Sequence, residues 1–399
     1  MRTFVMYVAA FILAAPHAHA GDTLRNKQGS QYLFTRKTDL QATAVRNQCQ
    51  TSTCWSFSTL SFLESELLRQ GKGVYNLSEM YVVRQAYYEK AIMYLRMDGD
   101  HRLDEGGEAH DIPLIIRKYG IVPEQVYRGL AYKTNAGDSV HNHAELLAAI
   151  KALADAYKPF AVSGKLSPAW LQALNSVLDA YLGKVPESFT YAGKTYTPKS
   201  FATSLGLNMD DYVFLTSFTH QPYYKPFVLE IPDNWSMQSA WNLPLDEFTE
   251  LAFRSLDKGY TFAWAADVSE KGFSFKDGIA LLPVHDSFVK TKGEPARFNP
   301  GQTISGFDQP CPELAVDETL RQHYYDYKQT TDDHGMQMTG WYSTADGKRW
   351  FRMRNSWGSG NFLNGYQMVS ETYFRGKTIS IMVHKDVLGK KLMEKIDLD

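Results

Sequence analysis

Along this chain the hydrophobic period changes from helical to strand spacing, and that change limits the fold to one class. Phe57, Leu60, Leu63 and Leu67 recur at steps of three and four ahead of Gly71, which puts them on one stripe of a buried helix starting near Cys54. A second helix is expected from Ser78 to about Met93, and a third is bracketed by Asp111 as N-cap, Pro113 in its first turn and Gly120 at its end. Leu146, Ile150, Leu153 and Tyr157 form another stripe; Ser167-Pro168 opens one that carries Leu171, Leu174, Leu178 and Leu182 and stops at Gly183. A hairpin around Ala192-Gly193 interrupts this helical stretch between Phe189 and Tyr196. After about residue 259 the period moves toward two. Tyr260 to Ala266, Ala280 to Val284, the alternating runs beginning at His334 and Trp350, and Thr378 to Val383 read as strands. Helices followed by strands, without βαβ alternation, define an α+β protein. Residues 21–45 read as a polar loop.

The amino terminus sets a compartment. Met1-Arg2-Thr3 precedes an apolar run from Phe4 to Ala15, and Ala18-His19-Ala20 has the small-x-small form of a secretory cleavage site. The run is shorter than the roughly 20 residues of a spanning helix, so residues 1–20 are expected to be a signal peptide and the protein to be secreted or periplasmic. No later stretch approaches spanning length. Three cysteines, Cys49, Cys54 and Cys311, cannot supply a disulfide framework. A thiol left free in an oxidising compartment is kept for its reactivity. The formal charge of -2 offers no electrostatic footprint for nucleic acid.

One segment carries chemistry: Asn47-Gln48-Cys49-Gln50-Thr51-Ser52-Thr53-Cys54-Trp55-Ser56-Phe57. A thiol at a helix start meets free N-H groups and the positive end of the helix dipole, which favour the nucleophilic thiolate. Such a nucleophile needs a base, a group that orients the base, and a donor for the oxyanion formed when a carbonyl is attacked. Gln48 offers the amide donor. His334, at the start of a strand, is the candidate base, and Asn355, at the end of the next strand, is placed to orient it; His285 beside Asp286 is the rival base. His141-x-His143 lacks a third ligand, so no metal or other cofactor is expected. Gly358-x-Gly360-x4-Gly365 has neither the spacing nor the setting of a phosphate loop. Asn76-Leu-Ser and Asn234-Trp-Ser have the form of glycosylation sequons.

Asn-Gln-x5-Cys-Trp, then His334-Gly335, then Asn355-Ser356-Trp357-Gly358 resembles the papain-like cysteine peptidases, specifically the bleomycin hydrolase and aminopeptidase C branch. Asn76-Leu77-Ser78-Glu79, Glu105-Gly106-Gly107, Lys118 to Pro123, Ala266-Asp267-Val268 and Gly365-Tyr366 extend the resemblance over nearly the whole chain after the leader. It implies a two-lobed fold: a helical lobe at 21–134 carrying the nucleophile, a mainly helical insertion at 135–258, and a β-rich lobe at 259–399. The insertion accounts for a separation of 280 residues (334 minus 54) between Cys54 and His334, where papain-like enzymes have roughly 130–150.

By the same resemblance Cys54 is the nucleophile, His334 its imidazolium partner, Asn355 the orienting group and Gln48 the oxyanion donor. Trp357 shields the bond between Asn355 and His334, and Gly106 and Gly107 let the substrate backbone approach. Peptides are the implied substrates and a homohexamer the implied assembly. Thr51 stands where secreted papains carry a disulfide cysteine, which favours the bleomycin hydrolase branch. The branch places a carboxyl-terminal tail in its cleft and acts on free amino termini, whereas this sequence ends at Lys395-Ile396-Asp397-Leu398-Asp399. Aminopeptidase, endopeptidase and dipeptidyl peptidase readings therefore stay open, as does an inactive peptide-binding protein.

Overall fold

The computed structural model describes residues 22–132, 140–289 and 305–397. The expected signal peptide lies outside the described residues. Helix Cys54–Arg69 is buried from Cys54 to Leu67, including its polar side chains. Those polar groups are paired: Ser56 Oγ donates to the Glu79 carbonyl at 3.0 Å, and Glu64 meets Arg46 at 2.9 Å and the Leu77 N-H at 2.8 Å. Helix Glu79–Arg96 starts where Ser78 accepts the Tyr81 N-H. Helix Asp111–Tyr119 ends at Gly120, whose φ of 80° is open to glycine. Helices Ala144–Val162 and Ala169–Leu182 pack on each other and on Glu79–Arg96, burying Leu146, Ile150, Leu174 and Leu178 in the same core as Trp55 and Leu60. The hairpin pairs Phe189 with Tyr196, and Thr197 and Ser200 form a capping box for helix Pro198–Leu205.

From Tyr212 the chain departs from the helical expectation for 135–258. Tyr212–Thr216, Pro226–Val228 and Ser239–Asn242 are strands. Tyr-Val-Phe-Leu-Thr is aromatic and β-branched, a composition suited to a pleated surface, and it pairs antiparallel with Thr378–His384. Helix Leu245–Asp257 then lays Phe248, Leu251 and Leu256 into the core beneath the sheet.

The sheet runs Pro226–Val228, Ser239–Asn242, Tyr212–Thr216, Thr378–His384, Phe262–Ala266, His334–Ser343, Arg349–Arg354, Tyr366–Ser370, Ile279–Ala280, Phe273–Ser274. Phe34–Asp39, read from sequence as loop, is also a strand and pairs with the far half of His334–Ser343. Only its Phe34 is fully buried, so the six residues carry almost no apolar pattern. His334–Ser343 is central: it pairs with Phe262–Ala266 on one side and Arg349–Arg354 on the other, and the buried helix Cys54–Arg69 packs against it.

Candidate active site

The start of helix Cys54–Arg69 meets the start of strand His334–Ser343, and Cys54, Trp55, His334 and Gly335 line one cavity. Gly335 makes the approach possible. A Cβ there would lie 3.1 Å from Trp55 Cα, 3.2 Å from Trp55 N and 2.9 Å from Ser58 Oγ, closer than carbon contacts normally allow. The backbone N-H groups of Gly335 and Trp55 lie near the Cys54 sulfur and favour its charged form.

His334 is held on its far side. Its Nε2 donates to Asn355 Oδ1 at 2.8 Å. The Asn355 orientation is fixed independently, because Oδ1 also accepts the Ser356 N-H at 2.7 Å and Nδ2 donates to Gln367 Oε1 at 3.0 Å. The proton therefore sits on Nε2 and Nδ1 is the basic nitrogen. Strand register explains the meeting: Gln337 pairs with Arg354, and continuing that antiparallel ladder puts Asn355 on the face of His334. The Trp357 ring stacks on the imidazole with centroids 4.5 Å apart and planes at 27°, and is itself braced by the edges of Phe273 and Phe275.

Gln48 reaches the same site from the helical side. Its Oε1 accepts Ser356 Oγ at 2.6 Å, its Nε2 donates to the Thr51 carbonyl at 2.6 Å, and its backbone N-H donates to the Ser356 carbonyl at 2.9 Å. The Thr51 carbonyl, which can only accept, thus fixes which end of the Gln48 carboxamide is the donor. One N-H of that amide is committed to Thr51 and the second is left for a ligand. Ser356 belonged to the Asn-Ser-Trp-Gly motif but carried no role in the sequence reading, because its partner is 308 positions away.

Burial governs the electrostatics. It pushes the Cys54 thiol up to about 12 and the His334 imidazole down to about 4, against the helix end and the Asn355 bond. Desolvation thus opposes a lone charge on either group, while the helix end favours the thiolate. Moving the thiol proton to His334 leaves the cavity's net charge unchanged and creates two charges that attract each other, so the transfer costs far less than either separate ionisation.

Gly107 lines the same cavity, with Gly106 just before it in the chain. Lys90 Nζ holds this segment by donating to the Asp104 and Gly106 carbonyls, and Trp55 Nε1 donates to the Glu105 carbonyl at 3.0 Å. A Cβ on Gly106 would fall on the Asp233 carboxylate, and one on Gly107 would lie 2.9 Å from both Asp111 Oδ2 and the Trp55 ring.

The other sequence candidates sit elsewhere. His285 is exposed and precedes a short turn of 3-10 helix, Asp286–Phe288. Cys49, Cys54 and Cys311 are free thiols; Cys49 is exposed and Cys311 buried. His143 Nδ1 contacts the Tyr87 hydroxyl at 2.9 Å, and no metal-holding group of side chains occurs among the described residues. The Asn234 side chain is buried and bonds the Leu229 and Gln238 carbonyls, which removes that sequon from reach. No described helix is long and apolar enough to cross a membrane.

A thiol and an imidazole that meet across a cleft, one from a helix start and the other from an antiparallel sheet, have the arrangement of the papain-like cysteine peptidases, and the α+β fold is theirs. The chain belongs to the Peptidase C1-like family, whose model matches residues 13–291 and 315–399. It is 24% identical to Aminopeptidase C of Streptococcus thermophilus over 95% of this chain and 88% of that one. Aminopeptidase C of Listeria monocytogenes serovar 1/2a is 26% identical, over 88% of this chain and 82% of that one. The crystal structure of PepW from Lactobacillus rhamnosis HN001 shares the fold with a TM-score of 0.68 at 23% identity, covering 91% of this chain and 84% of that one.

Proposed function

We propose that this protein is a cysteine aminopeptidase that removes residues from peptide amino termini through a thioester. Cys54 passes its proton to His334 Nδ1 as the sulfur attacks the scissile carbonyl. The oxyanion takes the free Gln48 N-H and the Cys54 backbone N-H. His334 then protonates the leaving amine, the thioester remains on Cys54, and water, deprotonated by the same imidazole, hydrolyses it. Asn355 and Trp357 keep the imidazole aligned and dry.

The observation that carries this reading is the His334 Nε2 bond to Asn355 in the cavity that also holds Cys54. The names of the relatives support the aminopeptidase assignment. Cys54→Ala abolishes turnover of a free-amine aminoacyl coumarylamide, and an epoxide thiol inhibitor labels Cys54 in the wild type. Residual turnover in the variant would remove Cys54 from the mechanism. The leader at residues 1–20 supports export to a secreted or periplasmic location, tested by sequencing the amino terminus of exported protein, where Gly21 is the expected first residue. A homo-oligomer, hexameric in the family it resembles, is tested by sedimentation.

A further inference from the structure

The cavity shared by Cys54 and His334 is also lined by Glu108, Asp233, Asp332 and Asp333. Glu108 is only 1% exposed and accepts Ser380 Oγ at 3.1 Å. Asp332 Oδ2 is shut off from water and accepts no hydrogen bond, and Asp233 Oδ1 has only the Arg102 guanidinium, at 3.3 Å. The nearby cations are engaged outside the cavity. Lys90 is bound to the carbonyls of Asp104 and Gly106 and lies 4.0 Å from the Asp104 carboxylate, and half-exposed Arg102 touches Asp233 from the rim at 3.3 Å. Asp111 is consumed by Trp235, Ser236 and the Glu108 N-H. Desolvation and mutual repulsion raise Asp233 to about 6, Asp332 to about 8 and Glu108 well above the usual carboxylate range. A pocket whose carboxylates outnumber the cations that reach it, and in which Asp332 Oδ2 has no donor, is complementary to a cation.

Its position specifies which cation: the carboxylates line the same cavity as the thiol and the imidazole. Asp233 stands directly on Gly106, so a peptide running along Gly107 meets a carboxylate at the next residue. The loop that delivers Asp233 is pinned. Val228 pairs with Ser239 at its base, Trp235 Nε1 and Ser236 Oγ bond Asp111 at 2.7 and 2.8 Å, and the Trp235 carbonyl meets His101 Nε2 at 2.7 Å.

We propose that Asp233 and Asp332, above Glu108, form the subsite for the α-ammonium of the substrate's first residue, so that one residue lies ahead of the scissile bond. This rests on the aminopeptidase reading and assigns its specificity to residues of the cleft wall. The test measures kcat/KM for an aminoacyl coumarylamide with a free amine and for its desamino analogue, in wild type, Asp233→Asn and Asp332→Asn, each normalised by active-site titration. The ratio of the two substrates is independent of the fraction folded, and either variant suffices if the other folds poorly. The expected result is a wild-type ratio far above one that falls at least tenfold in the variants, chiefly through KM of the free-amine substrate. An unchanged ratio overturns the proposal, as does release of dipeptides as the first product from a free-amine peptide. Turnover of neither substrate by wild type overturns the peptidase reading itself and the subsite with it.

Discussion

Gly335→Ala tests how closely the two walls of the site must meet. The added methyl lies 2.9–3.2 Å from Ser58 Oγ, Trp55 N and Trp55 Cα, against about 3.5–4.0 Å for relaxed carbon contacts. Ser58 Oγ can rotate away, but the Trp55 backbone cannot, so the helix start must retreat by about half an ångström relative to His334. Overpacking of this kind costs roughly 1–3 kcal/mol of stability. A shift of this order between thiol and imidazole costs about 10- to 100-fold in kcat/KM, given that an ångström is worth about a hundredfold. The assay pairs kcat/KM on a free-amine coumarylamide with the rate of Cys54 alkylation by iodoacetamide and a thermal melt. The double variant Ser58→Ala/Gly335→Ala should regain part of the melting temperature but little of the rate, since the Trp55 contacts remain. Wild-type kcat/KM and alkylation in Gly335→Ala would refute the close-approach argument.

Gln48→Ala removes the free carboxamide N-H and should lower kcat by about 10²- to 10³-fold with little change in alkylation of Cys54, measured on the same substrate; a loss below tenfold would take the oxyanion from Gln48. Trp357→Ala uncovers the imidazole that burial holds at about 4. Since desolvation is what lowers this value, exposure raises it toward 6.5, and the acidic limb of kcat/KM should move to higher pH; an unmoved limb would show that the ring is not the shield. Asp332, near 8 in the folded protein against an ordinary 3.8, takes up a proton on folding between those values, so its contribution to stability falls as pH rises through that window. Asp332→Asn should therefore melt higher than wild type at pH 8 to 9 in calorimetry while losing free-amine selectivity, and a lower melting temperature there would contradict the strain assigned to the pocket.

The parts legible in the sequence were those where chemistry dictates residue type. Cys54, Gln48, His334 and Asn355 could be singled out because each step of acyl transfer needs such a group, and the structure places them together. Trp357 lies against the imidazole as the resemblance implied. The strands at Phe34–Asp39, Tyr212–Thr216 and Ser239–Asn242 were not legible because each draws its stability from partners far along the chain and shows no clean alternation of its own. Burial of the thiol was not legible for a related reason: a helix dipole can be read from local sequence, whereas burial depends on the strand that closes over it. Glu108, Asp233 and Asp332 lie in three separate loops, and only the fold brings them to one cavity.

The loop bearing Asp233 is anchored at both ends by the pair Val228 and Ser239 on the outermost strands of the sheet, while Cys54 and His334 lie on a helix and a strand near its middle. Leu229 and Trp235 of this loop are buried in the same core as Trp55, and Trp235 and Ser236 hold Asp111, which in turn holds the Glu108 N-H. The outer edge of the sheet is thereby wired to the helix start that carries the thiol, and a change in the length of residues 229–238 must be felt at the reactive pair.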